Sequence, residues 1–175
     1  MRDFVMRQAE SEEDVNSVVT IWNEASEWLA TRGTDQWQYP VRVDAIRRKV
    51  AEGVVWLAED SDGDALATVT LDEDADARLW GAEDRPAAAL YLHRLAIRSS
   101  LQGMHLGTAI IDWARGMAHA MGKEYLRLDA WTSNTRLHQY YLSQGFRHVR
   151  TVDGDGIISG VLFECPASGR VLPEG

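Results

Sequence analysis

Apolar and polar positions change their period several times along the chain, and each change marks an element. Residues 4–9, FVMRQA, alternate as a strand does. Val15, Val18, Val19, Trp22 and Leu29 then recur at helical spacing, which predicts a helix over 12–30. Ser11 and Asp14 stand at its start in the spacing of a capping box. TRGTDQWQYP breaks the period with Gly33 and ends at Pro40, and Asp44 is placed to cap a short helix that stops at Gly53. VVWLAE (54–59) and ALATVTLD (65–72) flank DSDGD, the pattern of a hairpin. Residues 72–86, DEDADARLWGAEDRP, carry no period and read as a solvated polar loop.

The second half alternates strand and helix more regularly. AALYLHRLAI (88–97) is a strand that runs through LQGMHLGTA into a predicted helix over 106–121. The buried stripe of that helix is Leu106, Ile110, Trp113 or Ala114, Met117 and Met121. Asp112, Arg115 and His119 share the opposite face, and Gly122 ends the helix in a left-handed cap. YLRLDAW (125–131) is a strand, a short helix begins near Asn134 and ends at Gly145, and FRHVRTV and GIISGVLFE form a last hairpin around DGDG. The order predicts an α+β fold with a mixed six- to seven-stranded central sheet and about four flanking helices. One domain is expected over 1–166, with a mobile tail over 167–175.

Composition narrows the function. The chain has 175 residues, is 45% hydrophobic and carries a net charge of −9, the wrong sign for nucleic acid unless a basic face is concentrated somewhere. Arg and Lys are instead scattered from Arg2 to Arg170. No window approaches the roughly 18 apolar residues of a membrane span, and MRDFVMRQAESEED lacks the apolar stretch of a signal peptide. The single cysteine, Cys165, lies in an apolar run and reads as a packed thiol in a reducing compartment. A cytoplasmic protein is expected. The acidic 72–86 loop lacks the spacing of a calcium loop, so no metal is expected. Of seven tryptophans, Trp22, Trp28, Trp37 and Trp56 fall in the N-terminal third and read as core packing, with an aromatic-lined pocket as the functional alternative.

The chemistry is concentrated at Gln102-Gly103-Met104-His105-Leu106-Gly107. The first-turn N–H groups of a helix lack partners within the helix, and the helix dipole adds positive potential there. Glycines let the backbone approach a ligand closely. Together these make a site suited to a diphosphate. The sequence is neither a Walker loop nor a Gly-x-Gly-x-x-Gly dinucleotide loop. Further on, Asn134 is followed seven residues later by Tyr141 and then by Gly145-Phe146. Tyr140 and Tyr141 are about 100° apart around a helix, so one packs and the other points at a cleft. Spacing leaves the choice even.

The stretch from Leu90 to Phe146 resembles the GNAT family, the Gcn5-related N-acetyltransferases, whose loop is Arg/Gln-x-x-Gly-x-Gly/Ala. Gln102 and Gly107 match its ends, and His105 replaces its middle glycine, where histidine tolerates positive φ better than most residues. The resemblance implies acetyl-CoA as cosubstrate, with the pyrophosphate on Gln102, Gly103, Met104, His105, Leu106, Gly107 and Thr108 and the pantetheine arm along Leu95, Ala96 and Ile97 and near Asn134. It selects Tyr141 as the acid that protonates the departing thiolate. His93, two residues before Leu95 and so on the same face of a regular strand, is the candidate base, balanced evenly against a hydrogen-bonded core histidine; a water chain is the other route. His138 reads as surface, and His148 has no partner in the pattern. The implied partners are a primary amine of a small molecule or peptide, a cationic one suiting the acidic surface, and a second copy of the chain in a homodimer, with no nucleic acid and no membrane. A GNAT-like sensor that binds acyl-CoA without turnover is the alternative, suggested by His105.

Overall fold

Ser11 Oγ accepts from the Asp14 N–H and the Asp14 carboxylate accepts from the Ser11 N–H, both at 3.1 Å, so the predicted capping box closes around the first helix. The computed structural model describes residues 3–167. Its elements are β1 (Phe4–Gln8), α1 (Glu12–Thr31), α2 (Val43–Ala51), β2 (Val55–Asp60), β3 (Ala65–Asp72), β4 (Ala89–Ile97), α3 (Leu106–Ala120), β5 (Tyr125–Ala130), α4 (Thr135–Ser143), β6 (Arg147–Thr151) and β7 (Val161–Pro166). The strands form one seven-stranded sheet in the order β1-β2-β3-β4-β5-β7-β6. β4 and β5 run parallel, while β1–β2, β2–β3, β5–β7 and β6–β7 are antiparallel. This is the predicted mixed α+β fold. Of the tail expected over 167–175, Ala167 is instead buried, its N–H donating to the Glu124 carbonyl at 2.9 Å, and residues 168–175 lie outside the described residues. Among the described residues no helix is long and apolar enough to cross a membrane.

Two compact units make up this fold, with β4 contributing to both: residues 3–71 with 93–107, and 72–92 with 108–167. In the first, Val15, Val18, Ile21, Trp22 and Ala25 line one face of α1 and pack with Ile46 and Val50 of α2 and Leu57 of β2. Ile21 is fully buried, a contribution of about 1.5–3 kcal/mol from that side chain. In the second, Ile110, Ile111, Ala114 and Ala118 of α3, Leu126 and Leu128 of β5 and Leu162 and Phe163 of β7 are buried.

Four local readings change. Asp44 does not cap α2: Arg42 occupies that position without a side-chain bond, and Asp44 instead pairs with Arg47 in the first turn at 2.6 Å. The stripe of α3 keeps Leu106, Ile110 and Ala114 but is wider than expected, because Ile111, Arg115 and Ala118 are buried too, while Met121 is exposed. The 72–86 loop is not simply solvated: Leu79 and Trp80 are buried against Ala89, Tyr91 and Leu162. Finally, β7 begins at Val161, not at Gly156. Residues 152–160 form a return in which Gly160 passes so close to Val152 that a Cβ there would stand 2.0 Å from the Val152 carbonyl oxygen.

Candidate active site

The strand-to-helix turn is held at its start by Arg98, which donates to the Ala65 carbonyl and to Glu24, both at 2.7 Å. A single 3-10 turn, Ser99–Leu101, follows. Gln102 reaches back to donate to the Ile97 carbonyl at 3.2 Å. Gly103 and His105 are both left-handed, with φ of 81° and 61°, and lead directly into α3. His105 thus adopts the angle for which the family pattern uses glycine, at about 1 kcal/mol for a residue with a Cβ. Gly103, Met104 and His105 are exposed, and the amides of Gly103 and His105 donate no backbone hydrogen bond among the described residues. Free amides at the positive end of a helix fit an anion.

In β4, Leu90, Tyr91 and Leu92 are buried, His93, Leu95 and Ile97 half-buried and Ala96 buried. Arg94 between them has φ of 55°. A left-handed residue interrupts the two-residue alternation of a strand, so the spacing argument that puts His93 and Leu95 on one face does not carry through this position. The register with β5 covers Ala89, Leu90 and Tyr91 opposite Tyr125, Leu126 and Arg127, which leaves most of β4 beyond it.

Asn134 caps α4, its side-chain oxygen accepting from the Leu137 N–H at 3.1 Å. Tyr141 lies in the last turns of that helix and is buried. Its ring packs edge-on to Phe146 at 5.6 Å and tilted against Phe163 at 5.9 Å. Burial pushes its phenol well above the ordinary tyrosine value, and Tyr140 and Asp129 add to the rise. Tyr140 is only half-buried. Burial raises its pKa, while a side-chain hydrogen bond with Thr108 opposes the rise. Gly145, with φ of 84°, ends the helix as its spacing predicts.

Arg115, expected on the exposed face, is buried. It donates to the Gln144 carbonyl at the end of α4 and to Cys165 Sγ at 3.2 Å, and its guanidinium stacks 5.5 Å from the Phe146 ring. The spacing of Ile111, Arg115 and Ala118 carried this information; charge hid it. Cys165 is a buried free thiol, pushed up by that burial. His138 is half-buried rather than on the surface, and its Nε2–H donates to the Trp131 carbonyl at 2.8 Å. His148 is exposed and bonds Thr151 Oγ1 at 3.1 Å.

The model of the acetyltransferase (GNAT) family matches residues 16–146. The chain is 30% identical over 140 residues, 77% of each chain, to the uncharacterized N-acetyltransferase YesJ of Bacillus subtilis (strain 168). Its fold is similar to that of a GNAT-family acetyltransferase from Listeria monocytogenes 4b F2365, with a TM-score of 0.78, 23% identity and coverage of 94% and 95% of the two chains. It is similar too to the PaiA N-acetyltransferase of Thermoplasma acidophilum, solved in complex with coenzyme A, with a TM-score of 0.67, 15% identity and coverage of 94% and 99%. The chain belongs to the GNAT family and is an N-acetyltransferase.

Proposed function

We propose that the chain transfers an acetyl group from acetyl-CoA directly to a primary amine of a small molecule. The observation that carries this reading is the turn of two left-handed residues, Gly103 and His105, whose free amides precede α3. The coenzyme A in the PaiA complex supports the same cosubstrate here. Gln102, Gly103, Met104, His105, Leu106, Gly107 and Thr108 would hold the pyrophosphate, chiefly through main-chain N–H groups. Leu95, Ala96 and Ile97 would take the pantetheine arm as an added strand, and their amides would stabilise the oxygen that gains charge. The short β4–β5 register supports this, because added-strand binding needs unpaired main chain. When bound, acetyl-CoA supplies a thioester whose leaving thiolate belongs to a thiol of pKa about 8.5.

In one step the amine nitrogen bonds to the carbonyl carbon and the carbon–sulfur bond breaks. An alkyl ammonium of pKa about 10.4 must first lose a proton. His93 would take it, directly or through water. Tyr141 would return a proton to the sulfur, and Asn134 would fix the start of the helix that carries it. A raised pKa keeps Tyr141 protonated at neutral pH, as an acid must be. The charge of −9 favours arrival of an ammonium group from solution.

Coenzyme A should raise the melting temperature, by mass action worth about 2.7 kcal/mol at one hundred times Kd. Gly107→Glu should abolish the shift by placing a carboxylate where phosphate oxygens belong. No shift for the unmodified chain at millimolar coenzyme A would sink the reading. Calorimetry on His105→Gly should show coenzyme A affinity kept or improved, since glycine takes φ of 61° without strain. A tenfold loss, about 1.4 kcal/mol, would make the imidazole itself a phosphate contact.

A further inference from the structure

Two non-glycine residues far apart in the chain have left-handed backbones and put their side chains on the same ring. Trp37, with φ of 59°, stacks on Trp22 at 4.7 Å and 17° between planes. Arg94, with φ of 55°, lays its guanidinium 5.1 Å from the centre of the Trp22 ring. A bulky aromatic residue rarely holds such an angle, and strained backbone persists only where its surroundings enforce it. Here they do. Ser26 Oγ donates to the Trp37 carbonyl at 2.9 Å, and Gln38 donates to the Ser26 and Gln36 carbonyls at 2.8 and 3.0 Å, which pins the segment to α1. Trp22 itself is core, so the platform under Arg94 is rigid.

Arg94 differs from the arginines that serve packing. Arg98, four residues on, is neutralised by Glu24, and Arg7 by Asp14. Arg94 is exposed and has no carboxylate partner among the described residues. A guanidinium resting on an indole face keeps the donors of its outer edge for a planar anion, which it binds in a fork. Arg94 immediately precedes Leu95 in β4, the strand assigned above to the pantetheine arm.

Resting on the acetyl-transfer reading above, we infer that the acceptor is an amino acid-like amine whose carboxylate is bound by Arg94 on the Trp22–Trp37 stack. The ammonium end then meets the thioester while the carboxylate end fixes orientation, and simple amines lacking the carboxylate are poor acceptors.

The test compares thiol release from acetyl-CoA with the α-amino acids and with their α-amides, in the full chain and in Arg94→Gln and Arg94→Lys. The expected result is at least a tenfold preference for one or more acids over their amides in kcat/KM. Arg94→Gln should raise KM for the acid at least tenfold, with kcat and the KM for acetyl-CoA little changed, and leave the amide unaffected. Arg94→Lys should recover part of the loss. Equal use of acids and amides, or equal loss of both in Arg94→Gln, overturns the acceptor assignment and leaves acetyl transfer standing. So does an Arg94→Gln chain that melts lower with its acid KM unchanged, which makes the residue a packing strut. A chain that neither binds coenzyme A nor releases thiol with any amine overturns the transfer reading and this one with it.

Discussion

Tyr141→Phe is expected to lower kcat by about 10² to 10⁴, the range for loss of a general acid, while the KM for acetyl-CoA stays near its original value. The substitution removes one oxygen and keeps the ring, so the contacts with Phe146 and Phe163 persist and the fold is unaffected. The lost interaction forms only as the sulfur gains charge, and such a loss falls on kcat rather than on binding. Tyr140→Phe is the control. Its side chain sits about 100° away around α4 and faces Thr108 at the head of α3, so it should turn over at close to the original rate. A crippled Tyr140→Phe beside an active Tyr141→Phe would exchange the two roles. Full activity in both would mean that the thiolate takes its proton from water. The pH profile gives an independent check. Because burial holds the Tyr141 phenol above the ordinary value near 10, its ionisation should cause no loss of kcat as the pH rises through the range where a free tyrosine titrates.

Most of the fold follows from local signals that agree with one another. The Ser11–Asp14 capping box, Gly122 and Gly145 as left-handed stops and the period of α1 each acted within a few residues, and each is realised. The α4 spacing also separated the two tyrosines, and the backbone demand for φ near 60° was readable at His105 from the family pattern. What stayed hidden depended on contacts distant in sequence. Arg115 and Arg127 look like surface residues by type, yet both are buried because their partners arrive from other elements: Gln144 and Cys165 for the first, Glu164 for the second. The left-handed Arg94 was equally invisible, since nothing in YLHRLAI marks a residue that would leave the strand conformation. The polar composition of 72–86 likewise concealed Leu79 and Trp80, whose burial is decided by β4 and β7.

The buried pair of Arg127 and Glu164 predicts the largest stability effect in the chain. Arg127 Nε donates to Glu164 at 2.9 Å with both side chains 5% exposed. The same guanidinium donates to the Asp84 carbonyl at 2.8 Å and the Tyr91 hydroxyl at 3.3 Å, and lies 4.7 Å from the Trp80 ring. Glu164→Ala strands that cation in a place water does not reach, and removal of one member of a buried pair costs about 3–5 kcal/mol. At roughly 2–4 °C per kcal/mol for a chain of this size, melting should fall by on the order of 10 °C. Arg147→Ala should cost no more than about 1 kcal/mol, because Arg147 holds the same carboxylate from solvent, with its side chain 68% exposed. Replacing both Arg127 and Glu164 by leucine should recover much of the loss, since no charge is then left unpaired. The neighbouring Asp84 adds a pH signature. Hydrogen bonds from Arg150 hold its carboxyl below the ordinary range, so this contribution is present above the ordinary carboxylate pKa and is lost as the pH falls through the lowered value. Asp84→Asn should therefore flatten the acid limb of the melting curve while leaving the effect of Glu164→Ala at neutral pH in place. If Glu164→Ala costs no more than Arg147→Ala, the pair is not what joins β5, β7 and the Trp80 segment, and apolar packing around Tyr91 and Leu162 holds them without it.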